Sequence, residues 1–121
     1  MSLILIVDDE RNVISSLQKV LSEDGHDVIT ASSGESAVRV AQGRRPDLVV
    51  MDICMAGISG LEALRQLQSL YPKLPVIMMT AFDTTQVALE AIKHGAFEYL
   101  LKPFEVPTLK VVVEMALTNR S

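Results

Sequence analysis

The chain has a single cysteine, Cys54, which excludes an internal disulfide and any cysteine-rich zinc site. A reducing cytoplasm is the location to expect. No apolar stretch approaches the roughly 18 residues a membrane-spanning helix needs, so no membrane partner is expected. The first residues run straight into an apolar segment, without a basic stretch and a small-residue cleavage site, so no secretory signal is expected. Clustered Lys and Arg are missing too. With 11 basic residues against 15 acidic ones the net charge is −4, which argues against direct nucleic-acid binding by this chain. Linkers and low-complexity tracts are absent, so residues 1–121 read as one domain. Material for a core is ample: 49% of the residues are hydrophobic, enough to fold without a metal or a covalent staple.

One pattern then recurs five times along the chain. Leu3–Val7 is a continuous apolar run, followed by a helical stripe at Val13, Leu17, Val20 and Leu21 that Gly25 ends. Val28–Ala31 is a short strand, after which Ser32 and Glu35 form a capping-box pattern for a helix closed by Gly43 and Pro46. Leu48–Met51 is the third strand, and Ser59 with Glu62 opens a helix bearing Leu61, Leu64 and Leu67. Strand four is Val76–Met79; Asp83 is placed to cap the next helix, with Val87, Ala88, Ala91 and Ile92 inward and Gly95 as its stop. Strand five is Tyr99–Leu101, and Pro107 suits the first turn of a last helix carrying Leu109, Val112, Val113 and Ala116. Strict alternation of this kind implies an α/β fold, a doubly wound parallel sheet with helices on both faces. Strands one, three and four are apolar throughout, as strands covered twice should be.

Ligands of such sheets bind at the carboxyl ends of the strands. Asp8, Asp9 and Glu10 follow strand one, Asp52 strand three, Thr80 strand four and Lys102 strand five. Each has an ordinary explanation when taken alone. Asp8 and Asp9 could cap the first helix, Asp52 could begin a turn, and Thr80 and Lys102 could be a strand end and a solvated charge. Together these explanations fail to say why every central strand ends in a group suited to a metal or a phosphate. Two carboxylates about 4 Å apart repel by roughly 4 kcal/mol at an effective dielectric near 20. Asp8, Asp9 and Asp52 would therefore take up a proton or recruit a cation, and hard oxygen donors fit Mg²⁺. In that setting Asp52 is the nucleophile for a phosphoryl group, with Lys102 and Mg²⁺ on its oxygens and the Thr80 hydroxyl donating to a third.

The segments Asp8-Asp9-Glu10, Leu48 to Asp52, Gly57 with Gly60, Met79-Thr80-Ala81 and Lys102-Pro103-Phe104 resemble the receiver domain of two-component response regulators. The resemblance covers essentially the whole chain. It implies a flavodoxin-like sheet of order 2-1-3-4-5 and a sensor histidine kinase as phosphodonor. It also implies a metal bound by Asp9, Asp52 and the Cys54 main-chain carbonyl, with Asp8 acting through water. A cis Lys102–Pro103 peptide and a Thr80/Tyr99 switch pair follow from it, with helix four, strand five and helix five as the face that responds and a possible homodimer surface. One departure is Ala56, where the family usually has Pro.

The stretch from Met79 through Phe104 is similar to receivers of nitrogen-regulatory-type transcription activators. The expected function is thus the N-terminal regulatory part of a transcription regulator, a phosphoacceptor module rather than an enzyme with an external substrate. A stand-alone single-domain regulator is the alternative. A Mg²⁺-dependent aspartyl phosphatase is a further rival, but such enzymes carry a second Asp two residues after the nucleophile, where this chain has Cys54. His26, in a turn, and His94, at a helix end, have no ligand partners in the sequence pattern and read as surface residues. Met51, Met55, Met78 and Met79 read as core filler.

Overall fold

A computed structural model describes residues 2–53, 60–81 and 85–119. Strands and helices alternate as β1 (Leu3–Val7), α1 (Arg11–Glu23), β2 (Asp27–Ala31), α2 (Gly34–Gly43), β3 (Leu48–Asp52), α3 (Gly60–Leu70), β4 (Val76–Ala81), α4 (Thr85–Lys93), β5 (Glu98–Lys102) and α5 (Val106–Asn119). All neighbouring strands are parallel, in the order β2-β1-β3-β4-β5. The expected doubly wound, flavodoxin-like sheet is therefore what forms.

The period of two along each strand divides the core in half. Leu5, Val7, Val49, Met51, Val76 and Met78 pack against Ala37 and Ala41 of α2, Leu64 and Leu67 of α3, and Ala91 of α4. Their alternates Ile4, Ile6, Leu48, Val50, Ile77 and Met79 pack against Leu17 and Leu21 of α1 and Leu109, Val113 and Ala116 of α5. Because both faces are covered, the central strands have no polar face to show, which is why they read as unbroken apolar runs. Met51, Met78 and Met79 are buried core residues, as expected.

Glycine ends α1 and α4 where the pattern put it. Gly25 has φ +88 and Gly95 has φ +105, the left-handed conformation that lets the next amides turn back onto the last helical carbonyls.

Three details differ from the sequence reading. The capping box of α2 lies one residue later, on Ser33 and Ser36: the Ser36 amide donates to Ser33 Oγ and the Ser33 amide to Ser36 Oγ, both at 3.1 Å. Serine at the third helical position replaces the usual Glu, while Glu35 places its charge in the helix's positive first turn. The strands also run further than their apolar cores. Asp52 still pairs in register with Met79, and Ala81 with Lys102, so Asp52 and Lys102 are last residues of strands rather than residues of the loops beyond. Finally, His26 is not a surface group, since its side chain is only 10% exposed; His94 is exposed as expected. The expected caps Ser59 and Asp83, the Ala56–Gly57 loop, Met55 and Cys54 lie outside the described residues, as do the side chains of Val87 and Ala88.

Candidate functional site

Three polar or charged side chains are buried among the described residues: Asp8 and Thr80 completely, and Asp52 to within 7%. All three stand at the carboxyl edge of the sheet. Asp8 follows the last residue of β1, Asp52 ends β3, and Thr80 is the penultimate residue of β4. Burying a carboxylate is costly unless a counter-charge or hydrogen bonds come with it. Lys102, the last residue of β5, supplies the charge: its Nζ donates to Asp8 Oδ2 at 3.0 Å and to Asp52 Oδ2 at 3.1 Å. The peptide between Lys102 and Pro103 is cis, as the resemblance implied.

Asp8 and Asp9 do not cap the first helix. The N-cap of α1 is Glu10 and carries no side-chain cap bond. Asp8 Oδ1 instead accepts from the Glu10 amide at 2.9 Å, which bends the chain so that Asp9 and Glu10 stand exposed at the rim. Carboxylate oxygens of Asp8, Asp9, Glu10 and Asp52 all lie within 4.8 Å of one another. The Lys102 ammonium pairs with two of these four carboxylates, Asp8 and Asp52. An all-oxygen set with two exposed members suits a hard divalent cation that keeps part of its water.

Burial alone would push Lys102 down, but the hydrogen bonds and charges of Asp8 and Asp52 outweigh it and hold the ammonium above the usual lysine range. A raised folded-state value means the pairing contributes stability that is complete below the unfolded value and is lost as pH climbs through the folded one. The difference in Tm between wild type and Lys102→Met should therefore hold constant to about pH 10 and change only above it, as the lysine discharges. A difference that varies between neutral pH and about pH 9 would show that the ammonium is not held this way.

Tyr99 is half-buried and packs with the α2–α4 half of the core. It pairs in register with Met78, and Leu101 with Thr80, so strand alternation puts Tyr99 and Thr80 on the same face of the sheet. The structure thus brings together Asp8, Asp9, Asp52 and Lys102 and sets Thr80 at the same edge. It adds Glu10 to the carboxylate group; the Cys54 carbonyl lies outside the described residues. The structure also gives a role to Gly60, which the sequence offered only as one of the residues carrying the resemblance. A Cβ at Gly60 would lie 2.7 Å from Ile53 Cα, and the Gly60 amide donates to Ile53 O at 3.2 Å, so this glycine lets α3 begin directly against the residue after Asp52.

Comparison with known proteins agrees with this geometry. A family model described as the response regulator receiver domain matches residues 4–114. Regulatory protein AtoC of Escherichia coli (strain K12) is 39% identical over 118 residues, which is 98% of this chain and 26% of AtoC. The chain thus spans between about a quarter and a half of the length of the curated relatives it matches. Among solved structures, the receiver domain of NtrX from Brucella abortus superposes with a TM-score of 0.93 at 36% identity, covering 96% of this chain and 98% of that one. A response regulator receiver domain protein from Clostridium thermocellum gives the same TM-score at 32% identity, with 98% and 95% covered.

Proposed function

The chain belongs to the response regulator receiver domain family, a family of signalling modules, and from that premise we propose that Asp52 is its phosphoacceptor. The observation that carries this reading is the burial of Asp8, Asp52 and Thr80 at one sheet edge around the Lys102 ammonium. A domain folding only for stability would have placed apolar side chains there.

The donor in this reading is a phosphohistidine of a sensor histidine kinase. An Asp52 carboxylate oxygen attacks phosphorus, the P–N bond to the imidazole breaks, and the histidine leaves with the electron pair and takes up a proton. Lys102 and the Thr80 hydroxyl contact two of the phosphoryl oxygens. Asp9 and Asp52 would hold Mg²⁺ directly together with the Cys54 carbonyl, with Asp8 contributing through water. The ion, when bound, offsets the negative charge of the phosphoryl group and the carboxylates. The chain would catalyse only its own phosphorylation and dephosphorylation.

Thr80 and Tyr99 form the switch pair, and the face of α4, β5 and α5 is the output and a homodimer surface. Leu89, Leu101, Val106, Val111 and Met115 are all exposed on those elements, more apolar surface than scattered residues explain. Residues 1–121 act as one receiver, the regulatory part of a longer transcription regulator.

Mixing the chain with a small acyl phosphate and Mg²⁺ and weighing the intact protein tests this. One acid-stable, base-labile phosphoryl group should be gained, and none when the metal is chelated. No mass gain with metal present, or equal gain without it, would overturn the proposal.

A further inference from the structure

Helix α5 has only two charged side chains, Lys110 and Glu114, and both are engaged by the same turn. Lys110 Nζ lies 3.1 Å from Asp24 Oδ1, and Glu114 Oε2 lies 3.6 Å from His26 Nε2. Asp24 and His26 flank Gly25 in the α1–β2 connection. That connection is held by three backbone hydrogen bonds, from Asp24 and His26 to Leu21 O and from Gly25 to Ser22 O. The His26 ring is nearly buried, and its Nδ1 has no hydrogen-bond partner among the described residues, so its polar contact with α5 runs through Nε2.

The rest of α5 does little to fix its own rotation. Leu109, Val113 and Ala116 face the sheet, but Val111 and Met115, roughly opposite at about 100° per residue, are 59% and 49% exposed and equally apolar. Turning the helix by about one residue's arc would bring Val112, Met115 and Ala116 inward instead. An amphipathic helix is oriented by the contrast between its faces, and here that contrast is nearly missing. Lys110 and Glu114, one turn apart on one flank, are what distinguishes the observed rotation from its neighbours.

We propose that the Asp24–His26 turn is a latch that sets the rotation of α5, and with it which apolar ridge the helix presents to solvent. An ion pair such as Lys110–Asp24, with a second polar contact beside it, can select one register among apolar alternatives, a known use of such groups. The latch stands whether or not Asp52 accepts a phosphoryl group, because its parts lie at the other end of the sheet.

The test is amide exchange and methyl NMR on the whole chain. Asp24→Ala combined with His26→Ala should raise exchange of the α5 amides about fivefold, leaving β1 and β3 at wild-type protection. Contacts of the Val113 methyls with the sheet should weaken at the same time. Asp24→Lys alone should loosen α5, and adding Lys110→Asp should restore its protection. Unchanged α5 exchange in the double variant would overturn the latch. So would a rise shared equally by β1 and β3, or a charge swap that fails to restore protection.

Discussion

Asp52→Asn should take up no phosphoryl group under conditions in which the wild type takes up one, while keeping its fold. The substitution is nearly isosteric, so the side chain still fills its place at the end of β3 and its amide oxygen can still accept from Lys102. What it loses is the anionic oxygen, and a neutral amide is a very poor nucleophile toward phosphorus. Lys102 retains Asp8 as a charged partner at 3.0 Å, and removing one of several crowded carboxylates lessens their repulsion. The fold should therefore shift by no more than about 1 kcal/mol. Intact mass and a thermal melt read the two halves together. An Asp52→Asn protein that still gains the full phosphoryl mass would place the acceptor elsewhere, with the exposed Asp9 the first residue to examine. One that gains nothing because it has unfolded would be recognised by its melt, and the Lys102 contact would then be the more important role of Asp52.

Gly60→Ala should be the most damaging substitution that touches no charged group. The new methyl would lie 2.7 Å from Ile53 Cα, 2.8 Å from Ile53 O and 3.0 Å from Ile53 C. All three are backbone atoms, so no side chain can swing aside. Ile53 is itself pinned, since its amide donates to Met79 O at 2.9 Å and its side chain is buried. Either α3 withdraws and opens a gap over Ala63 and Leu64, or the end of β3 moves. Overpacking of this kind costs about 2 kcal/mol, or roughly 6–12 °C in Tm for a chain of this size. If β3 yields, the Asp52 carboxylate moves with Ile53, and a misplacement near 1 Å slows an in-line transfer by about a hundredfold. A Tm within a degree of wild type and an unchanged rate of phosphoryl uptake would show that the contact is easily relieved.

Much of this molecule was legible in the sequence because its strongest signals are local. A strand covered on both faces has to be apolar at every position, so Leu3–Val7, Leu48–Met51 and Val76–Met79 declared themselves without any neighbour. Glycines that end helices in the left-handed conformation do so for reasons contained in a few residues, and Gly25 and Gly95 were placed correctly. Strict β-α alternation restricts the topology so tightly that the carboxyl edge, and hence Asp8, Asp9, Asp52, Thr80 and Lys102, could be named as neighbours before any coordinates. Where two local solutions compete, the pattern was less decisive. Ser32/Glu35 and Ser33/Ser36 both satisfy the geometry of a cap, and the choice between them depends on where β2 releases the chain.

Only the tertiary structure could decide what depends on residues far apart in the chain. Lys102 meets Asp8 and Asp52 across separations of 94 and 50 residues, and no local rule says that one ammonium bridges both carboxylates. His26 looks like a turn residue in sequence, and only the structure shows its side chain largely covered, with Glu114 of α5 beside it although it comes nearly ninety residues later. The resemblance includes Gly60 without a reason for it; the reason is the Ile53 backbone, which lies 2.7 Å from where a side chain would start. The rotation of α5 is the clearest case. Its hydrophobic pattern allows several answers, and the turn that selects one of them belongs to the far end of another helix.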